Sequence, residues 1–364
     1  MNRDEMLYEY WFAVFPGLGR TGKRRLLIYN KKQELFEMEK EEWRPFLTPK
    51  EWKSFSAHYQ KPHNIEEIAV EYDKLLEKNI QFIPENHRDY PEKLKQVEDN
   101  PLGIFCKGRI PGQEKAIAIV GSRTPTVYGS EMARYFAREL GKAGITIISG
   151  LALGIDVAAH RGALEGNGFT VGVLGNGPDI IYPRENFSVY EEIMKKGCII
   201  SEYKPGEKPC AYRFPERNRI ISALSDGIFV VEAKEKSGSL ITADCGLEQG
   251  KEIFALPGRA KDTLSEGCNW LIRQGAKLVT EPSHILEEIS SECEKNLKNR
   301  NISDKLLDNK EKIVYDCLGL EPKHIEDILR ATNLTVSEGI SILFRLELKG
   351  YIKQILKDYY IVNL

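Results

Sequence analysis

The sequence predicts an α/β protein whose centre is a doubly wound, mostly parallel, Rossmann-like sheet. Between about residues 115 and 280, short apolar runs that end in glycine or a polar residue alternate with stretches of helical spacing. Unbroken β-branched strands indicate burial on both faces, and their alternation with helices indicates parallel βαβ units. The hydrophobic content of 41% is enough to fill the core of such a sheet.

The expected strands follow one another in order along this region. AIAIVGSR (116–123) leads into a helix over 128–143, and ITIISG (145–150) leads into a helix over 155–165. The remaining strands are TVGVLGNG (170–177), CIISE (198–202), GIFVVEA (227–233), EIFALPG (252–258) and AKLVT (276–280). Each is short enough for a buried strand and too short for a helix of ordinary length.

Two smaller domains are expected on either side of the sheet domain, which spans 101–290. Residues 1–100 are rich in Trp, Tyr, Lys and Glu at helical spacing, which predicts a small helical domain. The polar stretch 291–309 is typical of a linker. Residues 310–364 predict three helices and a β-hairpin, which together form a winged-helix pattern.

A glycine-containing turn near the N-terminus admits two interpretations. FPGLG at 15–19 precedes a basic amphipathic stretch at 20–27, as in helix-hairpin-helix turns. Glycines there would let backbone amides and a helix N-terminus approach a phosphate. A plain turn between two helices explains the same residues, so both interpretations stay open.

The third helix of the C-terminal domain, expected over 335–349, is equally ambiguous. In a winged helix it would enter a DNA major groove. Its bases, Arg345 and Lys349, are matched in number by the acids Glu338 and Glu347. A packing or partner-docking role therefore stays open beside duplex binding.

Composition favours a cytoplasmic protein. No unbroken apolar stretch reaches the roughly 18 residues of a membrane span, and the N-terminus lacks a signal-peptide pattern. The cysteines form no CxxC pair and are odd in number, which indicates buried thiols in a reducing compartment, without a disulfide framework or zinc site. They are Cys106, Cys198, Cys210, Cys245, Cys268, Cys293 and Cys317. The net charge of −2 counts mildly against nucleic-acid binding but does not exclude a local basic cluster.

The loops after the strands carry the residues that indicate a function. Ligands of open parallel sheets bind beyond the carboxyl ends of the strands. Small residues lead into helices at several of these junctions, where free amides and the helix dipole favour anions. Together with nearby basic residues they predict a site for a phosphate chain. The loop residues concerned include Ser122, Arg123, Arg184, Lys234, Ser237, Gly238 and Ser239.

The loop at 212–220, YRFPERNRI, carries arginines beside aromatic residues. Arg213 and Arg217 could grip phosphates, while Phe214 offers a face on which any base can stack. Such a combination is typical of a single-stranded nucleic-acid groove. A surface loop whose arginines pair with neighbouring acids remains the alternative.

Enzymatic interpretations find less support. The first turn is not GxGxxG, and the second strand ends in Ser149 where NAD-binding folds place a carboxylate, so NAD is not expected. No P-loop and no GxSxG occur. Asp156 and His160, four residues apart, could form a base with its orienting partner. We expect instead that Asp156 caps or braces the glycine loop and that His160 packs under it. No metal-ligand spacing is visible.

Taken together, the motifs resemble one family, the DNA-processing protein A (DprA, also called Smf) family of bacterial recombination mediators. The resemblance covers roughly residues 100 to 290. It rests on IVGSR, SGLALGIDVAAH, LGNGPDIIYPREN, SEYKPG, RFPERNRIISALS, VVEAKEKSGSLITA, FALPG and GCNWLIRQGA, in this order. The helical N-terminal piece and the winged-helix tail also fit the family's accessory domains.

The resemblance implies a homodimer that binds single-stranded DNA and loads the RecA recombinase onto it, displacing or coexisting with single-strand-binding protein. In naturally transformable bacteria such a protein accompanies incoming DNA. No reaction and no cofactor are implied. Carried onto this sequence, the DNA groove would be lined by Arg123, Arg213, Phe214, Arg217 and Asn218, with Ser237, Gly238 and Ser239 against the DNA backbone. The dimer contact would lie at Leu271 and Ile272.

Two further hypotheses remain in competition. A nucleotide-phosphate hydrolase on a related sheet would use SGSLITADCGLEQG as its phosphate loop and Glu232 or Glu248 as its acid, although the expected PGGxGT pattern is missing. A duplex-DNA regulator would act through the C-terminal domain and would need a basic recognition helix.

Overall fold

The computed structural model describes residues 1–59, 64–112, 114–289 and 307–363. Its centre is a nine-stranded, mostly parallel sheet with helices on both faces, preceded by a helical region and followed by a small winged unit. The predicted fold class is confirmed. The predicted linker at 291–309 lies almost entirely outside the described residues.

Aromatic side chains hold the N-terminal helical region together. Phe12, Trp43 and Phe55 are fully buried, and Phe15 stacks on Trp43 with ring centroids 5.4 Å apart. Aromatic residues bury large areas each, which suits a small unit with few core positions. The helices are α1 (Arg3–Val14), α2 (Arg20–Tyr29), α3 (Lys32–Glu37), α4 (Pro49–His58) and α5 (Ile65–Glu77), with a 3₁₀ helix at Lys40–Phe46.

Two strands place the start of the sheet domain near residue 81, before the boundary expected at residue 100. The helical region ends with α5, and β1 (Gln81–Pro84) already pairs antiparallel with β2 (Gly103–Gly108), which in turn joins the large sheet. A short helix α6 (Glu92–Lys95) lies between them. The four residues of β1 include a proline and sit at the sheet edge, where proline is tolerated because no ladder donor is needed.

The order of strands in the large sheet is β1-β2-β6-β5-β4-β3-β7-β8-β9. All pairings from β6 to β9 in this order are parallel. The strands are β3 (Ala116–Val120), β4 (Thr146–Ser149), β5 (Thr170–Leu174), β6 (Cys198–Ser201), β7 (Gly227–Val230), β8 (Glu252–Ala255) and β9 (Lys277–Leu278). Every residue of β3 to β7 is buried, as the unbroken apolar runs predict.

Helices cover both faces of this sheet. They are α7 (Val127–Lys142), α8 (Ile155–Glu165), α9 (Phe187–Lys196), α10 (Arg213–Leu224), α11 (Gly238–Glu248), α12 (Glu266–Arg273) and α13 (Pro282–Ile289), with a 3₁₀ turn at Arg184–Asn186. The chain builds β3 to β6 on one side, and α10 then carries it back to place β7 on the other side of β3. The order of strands therefore reverses between β3 and β7, which is the position where doubly wound sheets bind ligands.

The C-terminal unit has the expected winged-helix elements. Its helices are α14 (Asn309–Asp316), α15 (Ile325–Thr332) and α16 (Val336–Leu348), and its strands are β10 (Lys323–His324), β11 (Ile352–Leu356) and β12 (Tyr359–Val362). Asn333 adopts a left-handed conformation between α15 and α16, at the predicted turn. In the part of the chain described here, no helix combines the length and apolar character needed to cross a membrane.

Candidate nucleic-acid interface

A cavity of about 370 Å³ opens at the carboxyl edge of the sheet, at the reversal between β3 and β7. The turn after β3, the glycine loop after β4, and the first turns of α10 and α11 form its walls. Many of the predicted site residues therefore meet in one place. They are Arg123, Phe214, Arg217, Asn218, Ser237, Gly238 and Ser239.

One wall of the cavity combines an exposed cation with stacked aromatic rings. The guanidinium of Arg123 lies 5.5 Å from the ring centroid of Phe214. Phe214 also stacks on Tyr182, with centroids 5.6 Å apart and planes 24° from parallel. Tyr182 is 45% exposed. A charge for a phosphate and a ring face for a base thus lie side by side.

A second wall of the cavity is the N-terminus of α11. Ser237 caps this helix by accepting a hydrogen bond from the Ser239 amide, and the Ser237 and Ser239 hydroxyls lie 2.8 Å apart. Asn218 donates to the Gly238 carbonyl at 3.2 Å, which ties α10 to this turn. A Cβ added at Gly238 would meet no protein atom within 4 Å. The fold itself leaves this space open, so a ligand backbone could approach the positive end of the helix closely.

The floor of the cavity is the glycine loop between β4 and α8. Gly154 has a φ of 82°, and a Cβ there would lie 2.3 Å from the Ser122 carbonyl oxygen, so glycine is required. The buried Asp156 carboxylate accepts from the amides of Gly150 at 3.1 Å and Ala152 at 3.4 Å. Burial raises the pKa of Asp156, although the nearby Arg217 charge opposes this. Asp156 therefore braces the loop.

Arg217 contributes to the floor in a different way from the predicted phosphate contact. It is only 4% exposed, and its Nη1 donates to the Gly150 carbonyl at 2.7 Å and to the Val173 carbonyl. Burial lowers the pKa of Arg217 to about 10, still well above neutrality. Its side chain holds the loop after β4 against β5, and these donors are not offered to a ligand.

His160 is fully buried beneath the same loop. Its Nδ1 lies 2.7 Å from the Thr170 hydroxyl, which itself donates to the Ile147 carbonyl, so Nδ1 carries the proton. Burial lowers the pKa of His160 to about 3. His160 thus bonds to Thr170 rather than to Asp156, which leaves no base and orienting partner of the kind considered from the sequence.

Arg213 points away from this cavity into a neighbouring one of about 640 Å³. Its guanidinium pairs with Glu207 at 2.5 Å and lies 4.4 Å from the Tyr203 ring centroid. The FPGLG turn lines the same second cavity. The structure therefore places Arg213 among acids and aromatic rings, at the junction with the helical region.

The basic residues of α2 after this turn are bound internally. Arg20 pairs with Asp99 and Glu202 at 2.9 and 3.0 Å, and Arg25 pairs with Glu51 at 2.6 Å. Lys23 is buried, donates to the Ala13 carbonyl, and has a pKa lowered by burial to about 7. Of the two interpretations of the turn, the plain connection between helices fits these contacts better than a phosphate site.

The remaining predicted residues, Ser122, Arg184 and Lys234, do not line this cavity. Arg184 and Lys234 are exposed. Ser122 is buried, and its hydroxyl accepts from the Thr124 amide at 3.1 Å, so it shapes the turn that carries Arg123.

The acids required by a hydrolase are not arranged for that role. Glu232 is buried, and its carboxylate accepts from the Thr126 amide at 2.9 Å and hydroxyl at 2.5 Å, which fixes the start of α7. Glu248 is exposed at the far end of α11, roughly 15 Å along the helix from Gly238. Within the described ranges, no group of three or more His, Cys, Asp or Glu side chains could hold a metal ion.

A family model described as DNA recombination-mediator protein A matches residues 81–290, which is more than half of the chain. The chain belongs to this family. A second model, described as the DprA winged helix domain, matches residues 303–355. The recognised resemblance is thereby confirmed, and so is the coarse functional assignment to DNA processing.

Curated relatives support the same DprA/Smf membership. Protein Smf of Escherichia coli is 39% identical over 294 residues, which cover 78% of this chain and 78% of the relative. The DNA processing protein DprA of Bacillus subtilis is 43% identical over 233 residues, covering 62% of this chain and 78% of the relative.

Solved DprA structures share the fold. The X-ray structure of Streptococcus pneumoniae DprA aligns with a TM-score of 0.69 at 34% identity, covering 78% of this chain and 98% of that one. DNA processing protein A of Helicobacter pylori aligns with a TM-score of 0.52 at 31% identity, covering 61% of this chain and 97% of that one. That structure is described as giving structural insights into the protein's unique single-stranded DNA binding mode.

Some features of this DprA-family site were not anticipated from the sequence. In the sequence Tyr182 stands out only as part of the LGNGPDIIYPREN motif, and its stacking on Phe214 arises because two segments distant in sequence meet. Tyr212, 61% exposed, adds an aromatic face beside Arg213. The sequence signal that could have pointed to a role for Tyr182 is the YPREN segment, in which an aromatic residue precedes a proline and an arginine.

The dimer contact expected from the DprA resemblance needs one correction. Leu271 is 2% exposed and packs in the main core, so it cannot reach a second chain. Ile272 is half-buried. The neighbouring apolar side chains Trp270, on α12, and Leu278, on the edge strand β9, are 44% and 52% exposed.

Proposed function

We propose that this chain binds single-stranded DNA at the carboxyl edge of its large sheet, without reading its sequence. The observation that carries the proposal is the adjacent Arg123, Phe214 and Tyr182, which join a cation to two stacked rings. Base stacking is tolerant of sequence because every base has a π-face, and phosphate contacts are equally indifferent to base identity.

The α11 N-terminus supplies the second half of the proposed groove. The capping serines line the same cavity as Phe214, and Gly238 leaves room for a phosphate. A DNA strand passing between the walls would have bases against Phe214 and backbone against α11. Arg184 and Lys234, which are both exposed, would extend the contact to neighbouring phosphates.

We further propose that the chain acts as a homodimer that loads the RecA recombinase onto the bound strand, in competition or coexistence with single-strand-binding protein. The family membership supports this role. For the dimer contact we propose the surface formed by Trp270, Ile272 and Leu278, because apolar side chains are exposed beside an unpaired strand edge there.

Fluorescence anisotropy of a labelled oligo-dT and of a matched duplex, across a salt series and without added nucleotide, tests the binding proposal. We expect a clear preference for the single strand and a steep loss of affinity with salt, about 0.7 of a log–log unit for each neutralised phosphate. Failure of a well-folded sample to bind either DNA would refute the proposal. Turnover of nucleoside monophosphates in the same sample would then favour the hydrolase hypothesis.

A further inference from the structure

The winged unit carries an apolar stripe on the helix that would face DNA in a winged-helix regulator. Val336, Ile340, Phe344 and Leu348 follow one another at intervals of four along α16 and are 64%, 52%, 60% and 72% exposed. Residues four apart lie on one face of a helix, so these side chains form a continuous ridge. Large apolar residues repeated in this way on a surface mark a contact site.

The stripe is not a displaced part of the unit's own core. The opposite face of α16 already fills that core with Ile342, Leu343 and Leu346, each no more than 2% exposed. Glu338 at the N-terminal end is held by Lys310 of α14 at 2.7 Å. The helix is therefore anchored on one side and presents a second, independent apolar face.

Duplex DNA does not suit this face. Arg345 pairs with Glu311 at 3.4 Å and with Asp308 at 3.6 Å, while Lys349 pairs with Glu311 at 2.7 Å. Both bases of α16 are thus bound to acids of α14. Affinity for DNA depends largely on cations that neutralise phosphates, and an apolar ridge supplies none.

A second copy of the same helix does suit it. A two-fold axis at the level of residue 342 sets Ile340 opposite Phe344 of the other copy and Val336 opposite Leu348. The same operation sets the exposed Ser337 opposite Glu347, whose carboxylate can accept a hydrogen bond from the Ser337 hydroxyl. Apolar positions meet apolar positions and a donor meets an acceptor, as an isologous contact requires.

The antiparallel arrangement is also favourable electrostatically. Each α16 then places the positive end of its dipole beside the negative end of its partner. Ridges of residues four apart from two helices interdigitate at a crossing angle near −50°, which is a common packing class. The stripe therefore has the spacing that such a pair needs.

We propose that the exposed stripe of α16 docks on the α16 of a second copy of this chain, as an antiparallel pair. The four side chains offer roughly 400 Å² of apolar surface per copy. Two copies would bury about 800 Å², below the ~1,200 Å² of stable interfaces. The association is therefore weak by itself. It becomes stronger when a second contact between the same two copies raises the effective concentration of one α16 near the other.

Sedimentation velocity of the full chain over roughly a hundredfold range of micromolar concentrations tests this proposal. The parent should show an association step that Phe344→Glu weakens at least tenfold, because a charge would be buried in the pair. Leu348→Lys, at the most exposed position, provides a second variant if Phe344→Glu folds poorly. The matched control is Leu76→Glu, 53% exposed on α5, which should associate like the parent.

The same association step should be lost when Phe344→Glu or Leu348→Lys is combined with Ile272→Glu. The Ile272→Glu background disrupts the proposed contact between sheet domains, so this comparison separates the two associations. Binding of oligo-dT should stay within twofold of the parent, so the outcome is independent of the proposed groove. Unchanged association in Phe344→Glu and Leu348→Lys would overturn the proposal. Two other outcomes would also overturn it. If the variants bind duplex DNA more weakly and the sedimenting mass does not change, the stripe contacts DNA. If their melting temperature falls and the mass does not change, the stripe packs against another part of the same chain.

Discussion

The carboxyl edge of the large sheet and the exposed face of α16 are the two places where these folds commonly bind nucleic acid, yet their side chains differ completely. At the sheet edge, the exposed Arg123 lies against Phe214, and the N-terminus of α11 lines the same cavity. On α16, the exposed face is apolar, and Arg345 is paired with acids of α14. The same chain thus carries one surface suited to phosphates and bases and one suited to another protein surface.

In each region the side chains, rather than the fold, determine the function. A winged helix predicts major-groove binding only when its recognition helix supplies unpaired cations. Likewise, a doubly wound sheet predicts a ligand at its carboxyl edge but does not specify which ligand. The comparison can be tested region by region, beginning with stability.

The largest expected difference between the regions is the loss of stability of each domain at acid pH. His160 lies beneath the groove with a pKa near 3, against 6.5 in the unfolded chain, so below pH 6.5 the unfolded state binds a proton that the folded state does not. The sheet domain should therefore lose ~4 kcal/mol of stability from this residue as pH falls from about 6.5 to about 3. Urea unfolding followed by hydrogen exchange of peptides from each domain would measure it.

The winged unit should respond only at lower pH. Lys349 lowers the pKa of Glu311 and Lys310 lowers that of Glu338, so their stabilisation is present above the unfolded value of 4.5 and is lost as pH falls below it. The control is His160→Gln, which should remove most of the early loss in the sheet domain alone. Identical profiles for parent and variant would show that His160 is not the cause.

The second difference concerns a single cation. Arg123→Ala should weaken binding of oligo-dT by about 10- to 100-fold, because a charge-assisted phosphate contact contributes about 1.5–3 kcal/mol. The log–log slope against salt should fall by about 0.7 of a unit, the contribution of one phosphate of a single strand. The matched control is Arg330→Ala on α15, where the arginine pairs with Asp327 at 3.6 Å, and it should change affinity by less than about twofold. Equal effects of the two substitutions would erase the distinction between the regions.

The third difference concerns two phenylalanines. Phe214→Ala should weaken oligo-dT binding by about tenfold through lost stacking of about 1–3 kcal/mol per base, with the salt slope unchanged. Phe344→Ala removes an equally large ring from the winged unit and should leave oligo-dT affinity unaltered. Anisotropy titrations of both variants with oligo-dT at two salt concentrations measure the affinity and the salt slope of each. A loss for Phe344→Ala would place DNA on α16.

Much of the fold could be predicted because burial leaves a simple pattern. The strands β3 to β8 are runs of apolar residues, and their alternation with helices predicted the parallel sheet. The strand β1 was missed because QFIP is short, contains proline and follows a long helix. Pairing partners at a sheet edge are distant in sequence, and so local pattern could not reveal that β1 joins β2.

The sequence predicted which loops form the candidate site. It could not predict which arginine of those loops is exposed and which is buried. Arg123 and Arg217 look alike in sequence, yet Arg217 is buried because the carbonyls of Gly150 and Val173 approach it from other strands. Leu271 and Ile272 are adjacent, and a rotation of about 100° along α12 decides which one enters the core. Such choices depend on tertiary contacts.

Photocrosslinking of the full chain to oligo-dT that contains 4-thiothymidine, with the modified peptides identified by mass spectrometry, tests the central claim most directly. We predict crosslinks to the peptides that carry Phe214 and Tyr182, and their loss under high salt or with excess unlabelled single strand. Crosslinks confined to the peptides of α16, with none at the sheet edge, would contradict the assignment of the groove.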